Sequence, residues 1–176
     1  MKQISFFLMV FTISFLFGCK KTSQPNENLP IKESSEILYS NSFESLSDTI
    51  GWKGYGFYKF YSDFSPNGGK QSLYVTGGDI SPQAMVELPA LTKEGRIILK
   101  FWGRSLHRDG SVRLSAMTPA FPLPTIWVSF QDTIWKQYSD TLLLPSSYKL
   151  QLSIESNGKM GGDILVDQIQ VLKLLE

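Results

Sequence analysis

The chain has 176 residues, with 17 basic and 16 acidic side chains, one histidine and one cysteine. This near-neutral balance lacks the basic stripe that a nucleic-acid partner requires. One cysteine excludes an internal disulfide, and with one histidine it leaves too few nitrogen and sulfur ligands for a zinc site.

The first element is an export signal. Lys2 is the only charge before the apolar run Ile4 to Phe17. Such a run has the length of a signal-peptide core and is too short to span a hydrocarbon layer of about 30 Å as a helix. It ends in Leu16-Phe17-Gly18-Cys19, with a small residue directly before the cysteine. This resembles the lipobox of bacterial lipoproteins, which implies cleavage after residue 18 and acylation of Cys19. Each buried methylene adds about 0.8 kcal/mol, so the lipid would hold the chain to a membrane. Lys20 rather than an aspartate follows the cysteine, which by resemblance to known sorting rules implies the outer membrane, and no acidic cluster directs the chain to the cell surface. The periplasmic leaflet is therefore expected.

Residues 19–35 are polar, with Pro25, Pro30 and several serines, threonines and asparagines, and read as the lipidated cysteine and a flexible tether. Removing residues 1–18 takes one lysine and no acid, so the mature chain carries 16 charges of each sign. Residues 36–176 are enough for one domain with a sizeable core.

Within that domain the pattern is one of short alternating runs: Gln71-Thr76, Gln83-Leu88, Arg96-Arg104, Ser111-Met117, Thr125-Gln131, Lys136-Leu144, Lys149-Glu155 and Ile164-Leu174. Turn signals separate them: Pro66-Asn67-Gly68-Gly69, Gly77-Gly78-Asp79, Arg108-Asp109-Gly110 and Asn157-Gly158. An all-β sandwich follows. The aromatic stretch 52–64 reads as a loop or irregular strand at the rim, and Trp135 as core.

The order of the pieces carries a resemblance. Phe43-Glu44 precedes Trp52; then come Gly69-Lys70-Gln71-Ser72-Leu73-Tyr74-Val75, Leu99-Lys100-Phe101-Trp102, Trp135, and finally Ile164-Leu165-Val166-Asp167-Gln168-Ile169-Gln170-Val171. Over residues 36 to 174 the chain resembles the galactose-binding-like jelly roll of the family 4 and family 22 type carbohydrate-binding modules. The resemblance implies a two-sheet jelly-roll β-sandwich, a structural calcium ion and non-catalytic binding of polysaccharide. For calcium it implies Glu44 and Asp167 as side-chain ligands, with Ser42 and Lys70 offering backbone oxygen. Asn67 stands where the family often has an acid, which lowers the charge of the site.

Asp167 is informative on its own account. Alternation places Leu165, Asp167, Ile169 and Val171 on one face. A carboxylate on an apolar face is costly unless it is paired or binds a metal. Two readings stand: an oxygen ligand for calcium, or an acceptor of backbone amides in a crossing loop or at a wet sheet edge.

Alternation also separates faces in five runs. Ile97, Leu99 and Phe101 oppose Lys100, Trp102 and Arg104; Val112 and Leu114 oppose Arg113 and Ser115; Ile126, Val128 and Phe130 oppose Trp127, Ser129 and Gln131. Leu150, Leu152 and Ile154 oppose Gln151, Ser153 and Glu155; Ala84, Val86 and Leu88 oppose Met85 and Glu87. One sheet with an apolar inner and a mixed outer face is expected. Trp102 and Trp127 would then share an exposed surface with Lys100, Arg104, Arg113 and Gln131. Indole plates cover the apolar faces of sugar rings, and polar neighbours bond the hydroxyls. If loops cover that face, both rings are a minor core.

Catalysis has little support, since His107 lies in a turn and no nucleophile elbow is present. Two non-enzymatic functions remain: a carbohydrate-binding lipoprotein, or an envelope scaffold that holds a protein partner without sugar affinity.

Overall fold

A computed structural model describes residues 34–54, 58–77, 84–119, 121–156 and 163–175. Cys19, the export segment, the residues before 34, Tyr55, and the turn signals at 78–79 and 157–158 lie outside the described residues.

Ten strands lie among the described residues: β1 (Ser35–Asn41), β2 (Tyr58–Tyr61), β3 (Ser72–Thr76), β4 (Ala84–Leu88), β5 (Gly95–His107), β6 (Gly110–Met117), β7 (Thr125–Phe130), β8 (Lys136–Leu144), β9 (Lys149–Ser156) and β10 (Asp163–Leu174). They form two antiparallel sheets, a jelly-roll sandwich. The six-stranded sheet runs β2-β3-β10-β5-β8, with β1 also paired to β10; the four-stranded sheet runs β4-β9-β6-β7. Each of the eight alternating runs holds a strand. The aromatic stretch contributes β2, and a strand the alternation did not mark, β1, begins at Ser35.

The core lies between the sheets. Leu73, Val75, Ile97, Leu99, Phe101, Ile164 and Val166 point in from one side, and Val86, Val112, Leu114, Ile126, Leu150, Leu152 and Ile154 from the other. At one edge Tyr138 of β8 stacks on Phe101 at 5.4 Å and lies 5.4 Å from Phe130 of β7, so an aromatic trio joins the two sheets.

Two expectations are corrected. The first concerns sheet membership: β4, β6, β7 and β9 share a sheet, but β5 belongs to the other. Both sheets of a sandwich turn an apolar face to one core, so the same alternation arises on either side.

The second concerns β10. Ile164 and Val166 face the core, as do Ile169 and Val171, so the parity changes between them. Gln168 has a left-handed backbone, φ 48°, and the pairing with β5 shifts register between Asp167 and Gln170. This bulge re-aims the strand. Asp167 therefore shares a face with Leu165 and not with Ile169 or Val171, and it points away from the core.

Candidate functional site: the outer face of the four-stranded sheet

Trp102 and Trp127 stand on opposite sides of the molecule, because β5 and β7 lie in different sheets. The expected shared surface of two indoles does not exist, and each half was built from its own sheet.

On the six-stranded side, Lys100, Trp102 and Arg104 lie along β5, all half-buried. Trp102 is paired with Asp167 on one side and Gln137 on the other. Arg104 is held in place: it forms an ion pair with Asp63, and its Nε donates to the Thr133 carbonyl at 2.9 Å. The second oxygen of Asp63 accepts the Trp135 indole N–H at 2.9 Å. Trp135 is thus half-buried under a polar clamp and is not part of the main core. These contacts bind loops to the sheet and leave Arg104 little freedom to recognise a ligand.

The four-stranded side differs. Register aligns Met85, Ser153, Arg113 and Trp127 in a row across β4, β9, β6 and β7. A neighbouring row holds Glu155, Ser111 and Ser129, and the one on the other side Glu87, Gln151, Ser115 and Thr125. Serines on the inner strands make a low floor, and Ser111 and Ser153 are buried. At the edge, on β7, Trp127 rises from it with 56% of its surface exposed. The Arg113 guanidinium lies 5.2 Å from the centre of that ring and is ion-paired with the buried Glu155 carboxylate. A cation against an indole face fixes the plate by cation–π attraction. Lys149 pairs with Glu87 at 2.7 Å, Ser115 and Thr125 share a hydroxyl bond of 3.0 Å, and the Gln151 amide reaches Met85 Sδ at 3.3 Å. Two buried polar atoms of this face, Arg113 Nε and Ser111 Oγ, have no hydrogen-bond partner among the described residues. Gln131 is exposed just past the end of β7.

Glu155, Ser111 and Ser153 were not named as site residues from the sequence. Alternation put Ser153 and Glu155 on the outer side; only the β6–β9 register brings them beside Arg113.

The acidic residues form a separate centre. Asp167 is fully buried beneath loop 64–71. Its Oδ2 accepts the Ser65 N–H at 3.0 Å and its Oδ1 the Gln168 N–H at 2.7 Å. Glu44 accepts the Lys70 N–H at 2.8 Å through Oε2. Gly68 and Gly69 allow both contacts: a Cβ at Gly68 would collide with the Asp167 carboxylate, and one at Gly69, where φ is 87°, with that of Glu44. Burial pushes the Asp167 pKa up, the Glu44 charge adds to this, and the Ser65 and Gln168 hydrogen bonds oppose it. The buried Ser65 hydroxyl lies by the same carboxylate without a hydrogen bond of full geometry. Ser42 and Asn67 are exposed, Asn67 with φ 63°. No three acidic, histidine or cysteine side chains gather among the described residues, so a cation here would need backbone and hydroxyl oxygens besides two carboxylates. An orphaned hydroxyl and a desolvated carboxylate facing one loop fit a hard cation.

No protein-family model matches the chain, and no curated protein matches its sequence. Solved structures do match its shape. The chain superposes on the CBM22-1 xylan-binding domain of Paenibacillus barcinonensis Xyn10C with TM-score 0.60 and 20% identity, over 82% of this chain and 98% of that one. It covers 47% of the two-module tandem from the same protein. The C-terminal family 22 carbohydrate-binding module of Clostridium thermocellum Xyn10B matches with TM-score 0.57 and 11% identity, over 78% and 93% of the two chains. At these identities the likeness is one of fold.

Proposed function

We propose that this protein is a non-catalytic carbohydrate-binding lipoprotein that takes polysaccharide on the outer face of its four-stranded sheet. The observation that carries this reading is the exposed Trp127 ring beside the half-buried Arg113 and its buried partner Glu155, with Arg113 Nε and Ser111 Oγ unpartnered among the described residues. A sugar offers a flat C–H face to an indole and hydroxyls that both donate and accept, so one ligand would satisfy the plate and the orphaned groups together. The resemblance in fold to carbohydrate-binding modules supports the same reading. Trp102, Lys100 and Arg104 play no part in it, because they occupy the other sheet.

In this proposal Cys19 carries the lipid, and Lys20 after it favours the periplasmic leaflet of the outer membrane. In this proposal a calcium ion held by Glu44 and Asp167, with backbone oxygens of Ser42 and Lys70, the Ser65 hydroxyl and the neutral Asn67 to complete its shell, would brace the domain. Its chemistry would be to neutralise two crowded carboxylates, and its role structural.

The test is retardation of the purified protein in gels containing neutral and acidic polysaccharides. At least one should slow the wild type and not Trp127→Ala. A folded protein retarded by none, or equally with Trp127→Ala, returns the chain to the scaffold reading.

A further inference from the structure

The strand register defines a single pole at which the chain enters the domain. Ser35 at the start of β1 pairs with Leu174 at the end of β10, and the Leu175 N–H donates to the Ser34 carbonyl at 2.9 Å. Gly95 pairs with Leu144, Leu88 with Leu150, Met117 with Lys149, and Ser115 with Thr125. Residues 89–94, 118–119, 121–124 and 145–148 therefore all gather at one end. They are tied together: the Ser147 N–H donates to the Leu91 carbonyl at 2.9 Å, and the Tyr148 N–H to the Met117 carbonyl at 3.0 Å. Between them lies an open cleft of about 550 Å³, lined by residues such as Leu91, Thr118, Pro119 and Tyr148.

This pole carries exposed apolar side chains. Phe121 is 94% exposed and Tyr148 76%, and Leu175 is exposed next to the point of chain entry. Singly such residues mean little. Here they sit on adjoining, hydrogen-bonded loops at the end from which the segment leading to Cys19 departs. Fourteen residues separate Cys19 from Ser34, so covalent geometry alone keeps this pole within about 50 Å of the lipid. A surface held that close meets the bilayer as an intramolecular partner, and modest affinity is enough. A phenyl ring buries in the acyl boundary, and a tyrosine suits the interface with an apolar ring and a polar tip.

We infer that this pole is a membrane-contact surface, with Phe121 and Tyr148 seated in the headgroup region of the bilayer that the Cys19 lipid occupies. The inference rests on the lipid-anchor part of the proposed function. Its result would be to stand the strands upright on the membrane, with the Trp127 face turned sideways and accessible.

The experiment uses the full lipidated chain reconstituted in vesicles of phosphatidylethanolamine and phosphatidylglycerol. Acylation of Cys19 consumes the native thiol, so Phe121→Cys and Tyr148→Cys each offer one site for an environment-sensitive fluorophore. His107→Cys is the control. It is 72% exposed at the far end of β5, about 40 Å from Gly95 at strand rise. Labels at 121 and 148 should emit to the blue of the label at 107, with quenching by shallow nitroxide lipids at least threefold greater. Floating vesicles with identical emission and quenching at all three positions overturn the contact and leave the anchor standing. Protein that stays off the vesicles, with Cys19 still reactive to maleimide, overturns the anchor and this inference with it.

Discussion

Arg113 and Glu155 form an ion pair across two adjacent strands, at the foot of an exposed indole, with the carboxylate buried and the guanidinium leaving its Nε unbonded. Removing one partner strands a buried charge, and partial exposure of Arg113 moderates the cost. Arg113→Met is expected to lower stability by about 1–3 kcal/mol. Adding Glu155→Gln should recover much of that loss in denaturant unfolding, whereas polysaccharide affinity should stay lost in the double variant. Full recovery of binding would remove Arg113 from the site.

Trp127→Ala and Trp102→Ala should behave oppositely. The exposed ring of Trp127 supports no core, so its loss should leave the melting temperature within a degree or two while weakening polysaccharide binding about 30-fold or more. Trp102, half-buried on the other sheet beside Asp167, should affect melting and leave affinity within about twofold. Isothermal titration with the retained polysaccharide, beside thermal melts, separates the two.

Asp167 links stability to pH, and in the proposed function it would link it to calcium as well. Its folded pKa is raised, first by burial, so at pH values between the unfolded and the folded pKa the metal-free folded state holds a proton that the unfolded chain releases. That contribution is present below the unfolded pKa and is lost as pH rises through the folded one. In EGTA, wild-type stability should therefore rise on acidification through this window, and Asp167→Asn should flatten the rise. Saturating calcium at neutral pH should raise the wild-type melting temperature by about 5–10 °C and leave Asp167→Asn unchanged. A wild-type melt indifferent to EGTA argues against a structural ion.

Gly68 tests the loop itself. A methyl there meets the Asp167 carboxylate and the Ser65 backbone carbonyl, so the loop must shift to admit it. Gly68→Ala should cost on the order of 2 kcal/mol by urea unfolding and abolish any calcium response, with polysaccharide binding at the distant face retained.

Cys19→Ser should abolish incorporation of labelled palmitate and move the protein from the membrane to the soluble fraction of the envelope. Unchanged fractionation would mean that something other than lipid holds the chain.

Much of the architecture was legible from alternation, because half-buried strands write their two faces directly into the sequence. Ile97-Leu99-Phe101 and Leu150-Leu152-Ile154 are clear examples. What alternation cannot carry is sheet identity. Trp102 and Trp127 give the same signature on opposite outer surfaces, since both strands turn their apolar sides to one interior. Glu155 was likewise placed outward but not beside Arg113, because cross-strand register depends on partners distant in sequence. Gln168 gave no warning of its left-handed backbone; glutamine is not a residue that usually marks one, and the parity of Asp167 was lost with it. β1 escaped notice because its side chains are mostly exposed, so it shows no clean alternation.

The last of the described strands is also the middle of the larger sheet: β10 lies between β5 on one side and β1 and β3 on the other. Until β10 is in place, β1 lacks its ladder, β3 and β5 each have one edge unpaired, and Ile164, Val166, Ile169 and Val171 are missing from the interior. Assembly must wait for contacts of long sequence separation, which slows folding. The larger sheet therefore closes only once β10 is seated between β5 and the pair β1 and β3, which makes that strand the keystone of the domain.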